Sequence, residues 1–425
     1  MENNMKKEKV YFKTFGCRTN VFDTQVMMNK LKDFEVTLNE NEASIVVINS
    51  CTVTNGADST ARSYINSLQK LPLNPRVIFT GCGVWTKGKG LFKDKKIDAL
   101  FGHSEKEKIN TLLKDKSRFF EAGDLKHIDD TIIEKMIGKS RAFVKIQEGC
   151  DYRCSYCIIP FVRGDSRSYD EDKILNQISV LASNGFGEFI LTGTNVGSFG
   201  KEHGVVNKKD KLAQLIKKIS MIRGVRRIRL GSVEPIQITD EFKEILTEPW
   251  MGKHLHIALQ HTSKEMLNIM NRRNKVKSDL ELFELLASKG YAIGTDFIVG
   301  HPGETEQYWK DAMLNFDRFP LTHIHSFTYS KRDGTPSCTM PNQVDGNIAK
   351  QRLKELDAKI KEKNRIFRMQ KQPLDILIES VKDGIYTGYD QFFNPIEVKS
   401  DTNLLGDWIQ IDEYEVKDKV NVSNF

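Results

Sequence analysis

Six of the seven cysteines in the chain fall into two sets of three, and each set is laid out to cradle an iron-sulfur cube with one iron left open. The tighter set is Cys150, Cys154 and Cys157 in EGCDYRCSYCIIP, a C-x3-C-x2-C run directly after a strand-like stretch, Arg141 to Gln147. A short loop with that spacing wraps three corners of a 4Fe-4S cube and supplies no fourth ligand. Zinc and buried structural thiols are the alternatives, but a structural zinc site needs a fourth Cys or His at close spacing, and the neighbouring residues offer neither. The second set is dispersed: Cys17 in KTFGCRTN, Cys51 in IVVINSCTVT and Cys82 in VIFTGCGV. Its bland reading is three core thiols, since free cysteine is common in interiors.

The elements that must position the second set are strands. Each of its cysteines follows a short apolar, β-branched run, Val10 to Phe15, Ala43 to Asn49 and Arg76 to Thr80, and helical patterns at Asp23 to Leu31 and Asp58 to Leu68 lie between them. Strands alternating with helices imply an open parallel α/β sheet. All three cysteines then stand at the carboxyl ends of neighbouring strands, where such sheets place their sites. After Cys157 the theme repeats, with strand candidates at Glu188 to Leu191, Arg227 to Leu230, Leu255 to Leu259, Ile293 to Val299 and Ile324 to Tyr329, and helical patterns between most of them. With the strand before Cys150 these make six β/α units. Beyond them, ILIESVKDGIYTGYDQFFNPIEVKS alternates apolar and polar residues with Gly breaks, predicting a small antiparallel β-barrel. The expected division is 8–120, 136–368 and 371–425.

Polar and Gly-rich residues gather just after the strands, on the rim that holds the chemistry of α/β barrels. Gly193, Gly300 and Gly303 suit either turn geometry or a close approach of backbone to a bound group. Asn195, Glu234 and Gln260 offer hydrogen bonds to a cofactor or substrate there. His254 and His256 alternate on one strand and His323 and His325 on another, so each pair shares a face; such histidines are more often satisfied by hydrogen bonds than by metals.

Composition adds limits. Hydrophobic content of 39% with 28% charged residues is ordinary for globular proteins. No apolar stretch approaches the roughly 20 residues that span a bilayer, and MENNMKKEKV has no hydrophobic signal region. A cytoplasmic location is expected, in keeping with reduced thiolates and an odd cysteine total that argues against a disulfide framework. Cys338 is left over as a plain thiol. Formal charge is +7, unevenly spread: residues 350–370 carry eight Lys or Arg against three acids in a helical pattern, whereas residues 371–425 carry five Lys against eleven acids, a net of −6. Further basic knots are Arg223, Arg226, Arg227 and Arg229, and Arg272, Arg273, Lys275 and Lys277. Such patches suit a polyanion such as RNA or form a solvated face. Tyr386, Tyr389, Phe392 and Phe393 are placed either to stack unpaired bases or to form the core of the last domain.

The C-x3-C-x2-C run, with Tyr156 before its third cysteine, resembles the signature of radical S-adenosylmethionine (SAM) enzymes. The two triads in this order, together with CSYCIIPFVRGDSRS, LTGTNVGSFG, RLGSVEPIQI, HLHIALQ, NIMNRRN, TDFIVGHPGETE and YSKRDGTPS, resemble the methylthiotransferases of that superfamily over about residues 10–340. TGTNVGSFG, GSVEP and FTYSKRDGTPS are most similar to the MtaB type, which methylthiolates N6-threonylcarbamoyladenosine beside the anticodon of tRNA. The chain departs from the usual pattern at Tyr169, at ALQHTS and at HPGE. The resemblance implies two 4Fe-4S clusters and SAM, with Cys150, Cys154 and Cys157 on the SAM cluster and Cys17, Cys51 and Cys82 on an auxiliary one. It implies SAM contacts among Gly193, Asn195, Glu234, Gln260, Gly300 and Gly303, a partial six-stranded radical SAM barrel, and a TRAM-like C-terminal domain that binds RNA. The tRNA anticodon loop, an electron donor such as flavodoxin or ferredoxin, and a sulfur donor are the implied partners, with no membrane. Isopentenyladenosine in tRNA and an aspartate of a ribosomal protein are the sibling substrates. A non-catalytic iron-sulfur RNA-binding or redox-sensing protein is the rival of another class, and six β/α units with a full loop series argue against it.

Overall fold

Apolar β-branched runs form the middle of the first sheet in the computed structural model, which describes residues 7–201 and 210–425. Strands β1 (Lys9–Thr14), β2 (Glu35–Thr37), β3 (Ile45–Ser50), β4 (Arg76–Gly81), β5 (Ala99–Phe101) and β6 (Phe119–Glu121) are parallel throughout, in the order β2-β1-β3-β4-β5-β6. β3 is buried along its whole length, as a central parallel strand covered on both faces must be. This is the open parallel α/β sheet expected of the N-terminal region.

The next strands are β7 (Ala142–Glu148), β8 (Arg167–Ser168), β9 (Glu188–Gly193), β10 (Arg227–Leu230), β11 (His254–His256), β12 (Ala292–Val299) and β13 (His323–Thr328). Hydrogen bonding orders them β10-β9-β7-β8 and β11-β12-β13, and the parallel bridges Ile228–Met251 and Val233–Ile257 join the two sets beside β10 and β11. All six expected β/α strands are therefore neighbours in one open parallel array, with β8 antiparallel on the far edge of β7. β11 is shorter than the sequence pattern suggests, because the chain bends away towards Gln260, whose backbone is left-handed with φ 67°. The helices around the array open on capping side chains, among them Asp170, Thr305 and Asp345.

The first helix, Arg18–Lys30, is buried almost all round. Phe22 and Val26 pack into the core of the second array beside Val144 and Leu191, whereas Met27 and Met28 pack with Val10 and Val47 of the first sheet. A helix enclosed on both sides has no solvent face to make amphipathic, and it carries buried polar residues, Asn20 and Asp23, into the seam between the sheets.

The C-terminal strands are β14 (Leu374–Lys382), β15 (Ile385–Tyr389), β16 (Pro395–Lys399), β17 (Trp408–Ile411), β18 (Glu415–Val416) and β19 (Asn421–Asn424), ordered β17-β14-β15-β16-β19-β18. The expected antiparallel barrel is instead a curled sheet: β16 and β19 are parallel, and among the described residues nothing pairs β17 with β18. The chain leaves β16 to build β17 on the far side of β14 and returns beside β16 in the same direction. Phe392 packs in the core of this sheet, with its ring 5.4 Å from Phe367. Phe393 and Tyr389 stack on each other at 4.8 Å, and Phe393 also stacks on His254 at 5.2 Å. These rings serve packing between units rather than standing free for bases.

The basic helix at residues 350–370 forms as Gly346–Met369. Most of its charge is engaged internally: Arg352 pairs with Glu304 and Glu306, Lys359 with Asp317, Lys361 with Asp418, and Arg365 with Glu362, while Arg368 bonds to Asn421. Only Lys350 and Lys354 of its eight cations have no polar partner among the described residues. Arg227 and Arg229 are likewise buried against Glu188. Among the described residues no helix is long and apolar enough to cross a membrane.

Candidate functional site

Cys51 and Cys82 directly follow β3 and β4, and Cys17 stands three residues past the end of β1, all at the carboxyl ends of adjacent strands. Two glycines allow the loops to close. Gly16 (φ 103°) has Cys51 Cβ 2.6 Å from where its own Cβ would stand, and Gly81 (φ 92°) has Asn49 Oδ1 at 2.4 Å. Asn20 then ties two of the loops together, donating to Phe15 O at 2.8 Å and Ser50 O at 3.1 Å. Cys17 is exposed, while Cys51 and Cys82 are buried. Burial pushes the Cys82 thiol up to about 12, against the pull of Arg163.

Cys150, Cys154 and Cys157 lie on the loop leaving β7. Gly149 (φ 71°) opens it where any Cβ would meet Asp165 O at 1.9 Å, and Cys150 N donates to Gly164 O at 3.0 Å. Asn195 Nδ2 stands 3.8 Å from Cys150 Sγ and Arg272 Nη1 3.6 Å from Cys154 Sγ. Burial, with Cys154 beside it, pushes the Cys157 thiol up to about 12.

In neither triad do all three sulfurs come within 4.8 Å of one another. Two thiolates on one tetrahedral zinc stand only about 3.8 Å apart, given Zn–S bonds near 2.3 Å. A three-thiol set more widely spaced than one zinc ion requires is in keeping with a larger body such as a 4Fe-4S cube.

Between the triads lies a buried ionic cluster that sequence reasoning missed. Arg163, just past Cys157, donates through Nε to Cys82 Sγ at 3.2 Å and through Nη2 to Asn20 Oδ1 at 2.5 Å, while its Nη1 reaches Asp23 at 2.8 Å and Glu148 at 3.0 Å. Lys145 Nζ bridges Asp23 at 2.6 Å, Glu148 at 2.7 Å and Asp129 at 3.0 Å, and Lys106 pairs with Asp23 at 3.4 Å and with Asp129. Three cations thus face three carboxylates. Burial alone would push Asp23 up, but Lys106, Lys145 and Arg163 hold it well below the usual carboxylate range.

The rim residues divide in two groups. Asn195 is buried beside Cys150, its N held by Gln147 Oε1 at 2.8 Å and its Oδ1 by Gln237 at 2.9 Å. Glu234 pairs with Arg272, linking it through that guanidinium to Cys154. Gly193 ends β9 with Gln147 O 2.8 Å from the Cβ it lacks. Gln260 sits in the ladder of β12, accepting from Ile298 N at 2.9 Å. Gly300 and Gly303 both have positive φ, and Gly300 packs against Ala349 of the long helix, so turn geometry accounts for both. His301 between them is buried and meets Ser155 Oγ at 3.0 Å, docking this loop on the cysteine loop. Burial lowers the His301 pKa to about 4.

The histidine pairs do share a face. His256, Asp296 and His325 come together, with His256 Nε2 3.1 Å and His325 Nδ1 3.4 Å from Asp296 Oδ1. Asp296 thus answers His256 and His325, and Thr322 Oγ1 meets His323 Nδ1 at 2.8 Å, whereas Nε2 of His254 is buried without a hydrogen-bond partner.

Residues 9–102 match the family described as "Uncharacterized protein family UPF0004" and residues 144–315 the "Radical SAM superfamily". The chain is 54% identical, over 98% of its length and all of the relative's, to a provisionally named methylthiotransferase of Helicobacter pylori strain J99. It is 33% identical to the threonylcarbamoyladenosine tRNA methylthiotransferase MtaB of Aquifex aeolicus over 83% of this chain and 88% of that one. It is 29% identical to the tRNA-2-methylthio-N(6)-dimethylallyladenosine synthase of Staphylococcus haemolyticus over 95% of this chain and 82% of that one. In fold it is similar to the radical SAM methyltransferase TsrM of Kitasatospora setae, with a TM-score of 0.58 at 14% identity over 78% of this chain and 75% of that one.

Proposed function

The chain belongs to the radical SAM methylthiotransferases, and on that ground we propose that it adds a methylthio group to C2 of N6-threonylcarbamoyladenosine at position 37 of tRNA. The observation that carries this reading is the seam itself: two all-thiol triads on carboxyl-end loops of two parallel arrays, with the guanidinium of Arg163 reaching from one loop to Cys82 of the other. A single-cluster electron carrier has no use for such a pairing. Cys150, Cys154 and Cys157 would hold the SAM cluster, and Cys17, Cys51 and Cys82 the auxiliary one. Bound there, these groups supply the hard chemistry: reductive cleavage of one SAM to remove the C2 hydrogen, and a sulfur, methylated by a second SAM, to replace it.

The side chains of the protein position and shield. Arg163 and Lys145, with their three carboxylates, fix the two cysteine loops in one rigid seam. Arg272 places positive charge at Cys154, and Glu234 fixes its direction through two hydrogen bonds. Asn195, next to Cys150, and Glu234 are our candidates for direct SAM contact, with Gln260 and Gly193 further along the same rim. Gly300 and Gly303 would act through the shape of their loop.

The substrate rests on the motifs TGTNVGSFG, GSVEP and FTYSKRDGTPS and on the MtaB-named relative. A second reading keeps the chemistry on isopentenyladenosine tRNA, and the dimethylallyladenosine-synthase relative favours it. The test is the anaerobically reconstituted enzyme, given SAM and a reductant, on anticodon stem-loops bearing each nucleoside, with products read by mass spectrometry. Mass gain on the threonylcarbamoyl substrate alone is expected; gain on the isopentenyl substrate alone moves the assignment to the second reading.

A further inference from the structure

Around the ring of Phe393, which the C-terminal sheet pushes up against His254, positive charge accumulates. Arg18, Arg141 and Arg229 each place the guanidinium carbon 5.3 Å from its centroid. Two of the three are neutralised locally, Arg229 by Glu188 at 2.8 Å and Arg141 by Glu379. Arg18 has no acidic partner among the described residues. Its one hydrogen bond runs from Nη1 to the carbonyl of Leu230 at a long 3.4 Å. A half-buried guanidinium with no ion-pair partner is free to take an anionic ligand.

Position makes the ligand specific. Arg18 immediately follows Cys17 of the auxiliary triad, and Leu230, which it touches, ends β10 four residues before Glu234 of the rim. The side chain therefore reaches from one triad to the end of β10, the strand that leads to Glu234. Beside it, the buried His254 presents Nε2 with no hydrogen-bond partner. Gly294 makes room for that nitrogen, which lies 3.0 Å from where a Cβ would stand. A neutral imidazole donates through one ring nitrogen and a spare guanidinium through several, and the surrounding arginines disfavour a cation.

We propose that Arg18, assisted by His254, binds the carboxylate of the threonylcarbamoyl group and thereby selects the charged nucleoside over its hydrocarbon-substituted sibling. This rests on the substrate reading above: the threonine portion of that modification ends in a carboxylate, whereas an isopentenyl group offers nothing to a guanidinium. Selection works in both directions, because an uncharged substituent would cover Arg18 and leave it unpaired.

The test compares two anticodon stem-loops, one with N6-threonylcarbamoyladenosine and one with its threoninamide analogue, equal in shape but neutral. Wild-type holoenzyme, both clusters loaded, should show KM at least roughly tenfold higher for the amide with a smaller change in kcat, the scale of one charge-assisted hydrogen bond. Arg18→Gln should give equal KM values for acid and amide, with iron content unchanged, and Arg18→Lys should restore part of the preference. Equal handling of acid and amide by the wild type overturns the proposal and leaves the substrate reading standing, as does a preference that survives in Arg18→Gln. Turnover of the isopentenyl stem-loop alone overturns both. Should a variant lose iron, the wild-type comparison decides by itself.

Discussion

Arg163 donates to the Cys82 thiol at 3.2 Å across 81 residues of sequence, and the same guanidinium is held by Glu148 at the end of β7. The loop of one cysteine triad thus senses the loop of the other through a single planar group whose directions are set by four partners. Arginine suits this use because its donors form a fixed fork, which a lysine cannot reproduce.

Removing that fork should be expensive. Arg163→Met would leave Asp23 and Glu148 buried with less compensation, at a cost of about 3–5 kcal/mol. Urea unfolding of the apo chain would show it, and reconstituted protein should lose iron from the auxiliary triad before the SAM triad. Unchanged stability with full iron would show that the seam does not depend on Arg163.

His301 makes a prediction about pH. Its folded value of about 4 lies below the ordinary 6.5, so the unfolded chain takes up a proton first as pH falls. Its contribution is therefore complete above pH 6.5 and lost between about 6.5 and 4, up to roughly 3 kcal/mol. His301→Gln should flatten that part of the stability profile; an unaltered slope would place the acid sensitivity elsewhere.

Gln260 holds φ at 67°, a conformation that costs a non-glycine residue about 1 kcal/mol or more. Gln260→Gly should raise the unfolding midpoint slightly. If the side chain contacts SAM or the base, the same variant should lose activity, which ties the strain to function. Gain of stability with full activity would mean that the side chain serves neither.

On the long helix, exposed Lys350 and Lys354 are free for phosphates, whereas Arg352 is buried on Glu304. Reversing both lysines to Glu should weaken tRNA binding and shallow its salt dependence by about one unit of slope for each phosphate no longer neutralised, with folding intact. Arg352→Glu should instead unfold the protein. Salt dependence left unchanged by the lysine reversals would move RNA binding off this helix.

How much of this could be read from residues alone depends on the range of the interaction. Alternating strand patterns and cysteine spacing are local, and they led to both parallel arrays and both triads. The seam was hidden because Asp23, Lys106, Lys145 and Arg163 look like surface charges; Asp23 meets Arg163 across 140 residues, and no periodicity marks a buried ion pair. The sequence pattern starts the first helix only at Asp23, because Arg18, Thr19 and Asn20 look like loop residues until a second sheet covers them. The basic helix misleads for the opposite reason: its charges are answered by Asp317 and Asp418, which are distant in sequence.

Nucleoside mass spectrometry of tRNA from cells lacking this protein, beside the same cells complemented with wild type or with Cys154→Ala, tests the proposed activity most directly. Loss of 2-methylthio-N6-threonylcarbamoyladenosine, restored by wild type and not by Cys154→Ala, is the predicted result. An unchanged level of that nucleoside in the deleted cells would contradict the assignment, and disappearance of 2-methylthio-isopentenyladenosine in its place would transfer it to the sibling substrate.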